Sequence, residues 1–159
     1  MKDAFLKSEI RRIEKAITRK WRHLMEDETI HLTGSFDDDS VQVELLFKNS
    51  DESLYYPMQC RVEMNKEGIE PYQAKDLAID FLDWYLGEYL ESGRKSLLHL
   101  DWAEHRFGEY SIFARGEVRN KRLDELADAL LEGRIDARDL NELTGEKSKK
   151  SKSGKPGKT

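Results

Sequence analysis

The sequence predicts a single α+β domain in which a mostly antiparallel sheet packs against helices. Three observations favour this class. Apolar residues recur at helical spacing in residues 3–25 and 71–92, and at strand spacing in residues 29–64. Polar, turn-forming residues separate the strand-like segments. The predicted order of elements is α-β-β-β-α-β-β-α within residues 1–144, and residues 145–159 form a predicted disordered, lysine-rich tail.

The first helix is predicted from one apolar stripe within residues 3–25. The members of this stripe follow one another at steps of three or four residues: Leu6, Ile10, Ile13, Ile17, Trp21 and Leu24. The other faces carry most of the charges. Residues 2–25 hold eight Lys or Arg and three acidic residues, a net charge of +5. The outer surface of the first helix is therefore expected to be positive.

Three strands are predicted next, because apolar and polar residues alternate between Thr29 and Met64. The apolar positions are Ile30, Leu32 and Phe36, then Val41, Val43, Leu45 and Phe47, then Leu54, Tyr56, Met58, Cys60, Val62 and Met64. Asp, Asn and Ser in residues 37–40 and 49–53 favour turns between them. An antiparallel meander is the simplest pairing. The single cysteine, Cys60, is expected to be a small core residue.

The second helix is predicted over residues 71–92, with Pro71 in its first turn and Gly93 as its stop. Its wide apolar face indicates the central helix of the core. Two further strands, Leu97–Ala103 and Tyr110–Val118, are predicted from near-alternating apolar residues. The residues between them contain a glycine where a hairpin loop needs one.

A last helix is predicted from Asn120, which can cap it, to Gly133, which can end it. A short helical turn over Asp136–Leu143 should follow. The resulting order of elements resembles that of the type III secretion chaperone fold over roughly residues 3–132. That resemblance consists of element order, and it implies a dimeric module that holds an unfolded segment of another protein on its surface.

Charge is segregated along the chain. Residues 2–25 and 145–159 each carry a net charge of +5, which leaves −15 for the residues between them. No apolar run approaches the roughly 20 residues of a membrane-spanning helix, and the charged first residues do not form an export signal. A cytoplasmic protein is therefore expected, and a single cysteine agrees with a reducing compartment.

One group of residues could carry metal or acid–base chemistry. His99 and Asp101 would share a face of the fourth strand, and His105 would follow across the turn. The favoured alternative is that alternation alone explains this spacing and that His99 and Asp101 face solvent. The sequence contains neither a glycine-rich phosphate loop nor a serine or cysteine nucleophile paired with histidine, and no cofactor is predicted.

The leading hypothesis is a non-enzymatic protein-binding adaptor or chaperone-like module, with a homodimer as one possible state. The candidate contact residues are Arg11, Arg12, Lys15, Arg19, Trp84 and Trp102. The alternative is a nucleic-acid-associated protein that uses the basic first helix and the lysine-rich tail. A small metal-dependent enzyme is a less favoured alternative. Within the protein-binding hypothesis, the positive helix is expected to lie against the acidic part of this chain or of a second copy.

Overall fold

A computed structural model describes residues 5–51 and 53–133 of the chain. The described chain divides into two compact units after Arg119, and each unit is considered by itself. The helical turn predicted over Asp136–Leu143 lies outside the described residues. The domain end and the tail predicted at residues 144 and 145 also lie outside them, so these boundaries stay predictions.

The predicted order of helices and strands is confirmed in the described residues. The elements are α1 (Lys7–Trp21), β1 (Thr29–Phe36), β2 (Ser40–Lys48), β3 (Leu54–Glu63), α2 (Met64–Glu67), α3 (Pro71–Glu91), β4 (Ala103–Phe107), β5 (Tyr110–Gly116), β6 (Arg119–Asn120) and α4 (Lys121–Leu131). Two short elements had no counterpart in the prediction: the single turn α2 and the two-residue strand β6. A 3₁₀ turn, Arg22–Leu24, extends α1.

The strands form one antiparallel sheet in which five of them follow the order β1-β2-β3-β5-β4. The predicted meander is confirmed, since β2 pairs with both β1 and β3. The β4–β5 hairpin then lies beside β3, so that β1 and β4 are the two ends of this path. Because β1 is an edge strand, one side of its backbone has no strand partner among the described residues.

The core lies between one face of the sheet and α3. Leu45 and Phe47 on β2, with Met58 and Cys60 on β3, are fully buried against this helix. The prediction that Cys60 is a core residue is confirmed, because its thiol is buried and lies 3.4 Å from the carbonyl oxygen of Ala78. Burial raises the pKa of this thiol.

The predicted position of the fourth strand is wrong. Residues 97–102 lie outside any strand, and β4 covers Ala103–Phe107, of which only Ala103 was predicted to be strand and the rest to be loop. The hairpin turn is therefore only two residues long, with Gly108 at φ +64° between paired Phe107 and Tyr110. Alternation in Ala103–Phe107 is hard to read from the sequence, because the small Ala103 and the polar His105 occupy two of its three less exposed positions.

The loop before β4 is fixed by a buried hydrogen bond. The backbone N–H of Leu98 donates to the Tyr56 hydroxyl at 2.9 Å, and Tyr56 is fully buried. Tyr56→Phe is expected to lower the free energy of unfolding by about 1 kcal/mol, because it leaves this N–H without an acceptor. Urea denaturation checks the value. A matched loss in Tyr72→Phe, where the side chain is 50% exposed, would contradict this explanation.

The last helix begins as predicted. The Asn120 side chain accepts a hydrogen bond from the N–H of Leu123 at 3.1 Å, which satisfies one free donor of the first turn of α4. Leu131 at its end is 85% exposed. Among the described residues, no helix has the length and apolar character needed to cross a membrane.

Candidate functional site

The outer face of α1 carries a row of basic side chains. Arg11, Lys15 and Arg19 follow one another at steps of four residues, and Arg22 follows three residues later, so that all four lie on one side of the helix. All four are exposed. Within the described part of the chain, Arg11, Lys15 and Arg19 form no ion pair. Their charges are therefore available to a partner.

Two other basic residues of α1 point elsewhere. Arg12 lies outside this row and forms a long, exposed ion pair with Glu9 at 3.9 Å. Lys20 donates to Asp83 of α3 at 2.7 Å, which is the kind of internal pairing expected between the basic helix and the acidic part of the chain. The row on the outer face does not take part in such pairing.

The backbone of β1 faces α1 along its free edge. In the β1–β2 turn, the N–H of Asp37 donates to the carbonyl oxygen of Ser40, which fixes the alternation of hydrogen bonds along the hairpin. By that alternation, Ile30 and Leu32 direct their N–H and C=O groups away from β2. The N–H of Leu32 indeed donates to Oε2 of Glu14 at 2.6 Å. Both lines of evidence give the same orientation for the edge.

A groove of about 670 Å³ lies between α1 and this edge. It is lined by Arg11, Glu14, Lys15, Thr18, Arg19, Arg22, Thr29, Ile30 and His31. We call it the α1–β1 groove. Four of its side chains are cationic and one is anionic, while Ile30 contributes an outward N–H and C=O. Among the described residues, no side chain forms a hydrogen bond with these two groups of Ile30.

The position of α1 is fixed by contacts with α3. The Trp21 indole donates to Oδ1 of Asp83 at 2.7 Å, and its ring lies over Gly87, where a side chain would not fit. Nearer the start of α1, Glu9 pairs with the buried Lys75 at 3.3 Å. These contacts hold the basic row at a fixed distance from β1.

The two tryptophans predicted as contact residues occupy different surroundings. Trp84 of α3 is 46% exposed and packs against Phe81, Tyr85 and Phe107. Trp102 directly precedes β4 and is half-buried, and the guanidinium groups of two arginines lie over its ring. Their distances to the ring centroid are 4.8 Å for Arg61 and 4.5 Å for Arg115. Neither tryptophan lines the α1–β1 groove.

The predicted metal candidates do not share a strand face. His99 and Asp101 precede β4, whereas His105 lies within it. Burial, followed by the charge of His99, lowers the pKa of His105, and Nε2 of His105 is buried without a hydrogen-bond partner. The Phe81 and Tyr85 rings contact this imidazole. The described residues contain no group of three or more His, Cys, Asp or Glu that could hold a metal ion.

The acidic residues at the β1–β2 turn have a local structural role. The Asp37 carboxylate accepts hydrogen bonds from the Ser40 hydroxyl and from the N–H groups of Ser40 and Asp39. These bonds lower the pKa of Asp37. A cleft of about 680 Å³ lies beside the turn and includes the cationic Arg61 and Lys66. Four acidic side chains and two basic ones line it, so its net charge is negative, unlike that of the α1–β1 groove.

The sequence predicts the basic residues of the groove but not the wall formed by β1. Ile30 and Leu32 were predicted only as apolar strand positions and Glu14 had no predicted role, because their part in the groove depends on the edge of β1 beside α1. The sequence signals the position of β1 beside α1 only by placing a strand-like segment directly after a basic helix. Protein-family models, curated proteins and solved structures give no match to the chain, so the resemblance in element order has no further support.

Proposed function

We propose that this protein is a non-enzymatic binding module that accepts an extended, acidic segment of another protein in the α1–β1 groove. The segment adds as a strand to the free edge of β1 and places its carboxylates against the basic row of α1. The observation that supports this most directly is the presence of unpaired Arg11, Lys15 and Arg19 beside the outward backbone groups of Ile30.

The spacing of the basic row suits a strand. Residues four apart on a helix are about 6 Å apart along its axis, and alternate residues of a strand are about 6.6 to 6.8 Å apart. Arg11, Lys15 and Arg19 therefore match three successive side chains on one face of an added strand. Alternate acidic residues in the segment would meet them.

Charge also limits what can occupy the groove. The lysine-rich end of the same chain carries +5 over residues 145–159 and would be repelled by the basic row. Nucleic acid would be attracted by the row, but the central part of the chain carries −15 and opposes a long polyanion. A short acidic segment satisfies the row without meeting that larger repulsion.

Binding is tested with a fluorescently labelled eight-residue peptide of alternating Glu and Thr and the full-length chain. The triple variant R11E/K15E/R19E is expected to bind it at least tenfold more weakly, measured by fluorescence anisotropy, because three attractive contacts become repulsive. The variant R12E/K95E/R106E is the control, since it makes the same change in net charge at exposed residues outside the groove. Equal weakening in both variants would contradict the proposed site.

The strand-addition mode has its own control. N-methylation of the peptide at alternate residues removes the hydrogen bonds of one edge, so one of the two possible N-methyl series should abolish binding and the other should preserve it. A labelled oligo-dT of similar charge is measured in parallel. Tighter binding of oligo-dT than of the peptide, lost in R11E/K15E/R19E, would replace this proposal with the nucleic-acid alternative.

A further inference from the structure

The proposed function requires a partner strand to pair with the edge of β1, yet one position of that edge is occupied by the protein itself. Oε2 of Glu14 accepts the N–H of Leu32 at 2.6 Å. This N–H is the next outward donor after that of Ile30, because outward groups recur every second residue. Glu14 thus occupies the position that the carbonyl oxygen of an added strand would take.

Glu14 is also the single acidic residue that lines the α1–β1 groove. It lies on α1 between the apolar stripe and the basic row, with Arg11 three residues before it and Lys15 directly after it. A carboxylate in this position gives the basic row an internal anion. An acidic ligand must therefore compete with Glu14 for the N–H of Leu32, and it meets the negative charge of Glu14 beside the basic row.

We propose that Glu14 is a displaceable internal competitor that holds the free edge of β1 closed until a strand binds. Its carboxylate covers the Leu32 donor in the free protein, which protects the edge from non-specific strand pairing. On binding, the carbonyl oxygen of the ligand takes the Leu32 N–H and the Glu14 side chain turns toward solvent. The inference rests on the proposed function, and it assigns Leu32 as the second pairing position after Ile30.

The backbone of α1 does not need to move for this exchange. Thr18 donates its hydroxyl to the carbonyl oxygen of Glu14 at 2.8 Å, and the contacts of Trp21 and Glu9 with α3 hold the helix on both sides. Only the side-chain torsions of Glu14 have to change. The exchange therefore costs one hydrogen bond and regains one.

Two substitutions separate the charge of Glu14 from its hydrogen bond. Glu14→Gln removes the charge but keeps an acceptor of nearly the same shape, whereas Glu14→Ala removes both. With the Glu-Thr peptide, the affinity of Glu14→Ala is expected to rise at least fivefold over the unmodified protein, and that of Glu14→Gln by a smaller factor. Glu91→Gln is the matched control, since Glu91 is exposed on α3 outside the groove and loses the same charge.

Amide hydrogen exchange at Leu32 reports the same event directly. In the free protein, Glu14→Ala is expected to speed exchange at Leu32 at least tenfold. In the complex with the peptide, exchange at Leu32 should fall to the same slow rate in Glu14→Ala and in the unmodified protein. Unchanged or weaker peptide binding by Glu14→Ala, with normal binding by the unmodified protein, would overturn the inference and leave the proposed function standing. Absence of binding by every form would overturn both.

Discussion

Replacement of Arg94 by Met is expected to lower the free energy of unfolding by about 3–5 kcal/mol, because it leaves a buried carboxylate without its partner. Nη1 of Arg94 lies 2.6 Å from Oε2 of Glu28, whose side chain is only 5% exposed. Nη2 of Arg94 also donates to the carbonyl oxygen of Leu24 at 3.3 Å. Urea denaturation at neutral pH, followed by circular dichroism, measures the loss.

The ion pair is formed from a turn with an unusual backbone conformation at Arg94. Arg94 has φ +70°, a left-handed conformation that a non-glycine residue adopts at some cost. The backbone N–H of Arg94 donates to the carbonyl oxygen of Tyr89 at 2.8 Å. The guanidinium thereby reaches Glu28, which directly precedes β1, and links it to the end of α3.

The loss in Arg94→Met should depend on pH. Burial alone would raise the pKa of Glu28, but hydrogen bonds from Arg94 and from the N–H of Glu26 outweigh it and lower that pKa. Such a carboxyl stabilises the fold above its unfolded pKa, and the contribution is lost as pH falls through the folded pKa. Without Arg94, burial should raise the pKa of Glu28 instead. The difference between the two proteins should therefore shrink between neutral pH and about pH 4.

The double variant Glu28→Gln/Arg94→Met is the control, because it removes both charges. It should lose less stability at neutral pH than Arg94→Met alone, and its difference from the unmodified protein should not shrink in the same way. Equal losses in the single and double variants would show that the unpaired carboxylate is not the cause.

The helices and the meander could be predicted because local periodicity determines them. Leu6 to Leu24 on α1 and Val41 to Phe47 on β2 repeat at spacings that only one type of element satisfies. Strand β4 could not be placed, because Ala103 and His105 do not form a hydrophobic pattern. Leu98 and Leu100 gave a stronger alternation, yet the backbone N–H of Leu98 bonds to the Tyr56 hydroxyl instead of to a strand.

The candidate site was predictable only on its charged side. Arg11, Lys15 and Arg19 are visible in the sequence as a row on one helical face. That this row lies beside a free sheet edge depends on the order of strands, and the sequence does not show that β1 lacks a second neighbour. The spatial separation of Trp84 from Trp102 likewise depends on tertiary packing, since both are aromatic residues near apolar segments.

The last prediction concerns the packing of α1 against α3. Gly87→Ala is expected to lower the free energy of unfolding by about 2 kcal/mol, because overpacking should outweigh the gain in helix propensity of about 1 kcal/mol. A Cβ at position 87 would lie 2.4 Å from Cη2 and Cζ2 of Trp21. The indole cannot easily withdraw, because its Nε1 donates to Asp83 at 2.7 Å.

The destabilisation by Gly87→Ala should disappear when the indole ring of Trp21 is absent. In a Trp21→Leu background, Gly87→Ala should be neutral or should stabilise the protein by up to about 1 kcal/mol, since only the helix propensity remains. Equal destabilisation in both backgrounds would exclude the clash as the cause. Because Trp21 lies between Arg19 and Arg22, displacement of its ring should also change the position of the basic row relative to β1. Gly87→Ala is therefore expected to weaken binding of the Glu-Thr peptide, and this weakening should be measurable under conditions in which the variant is still fully folded.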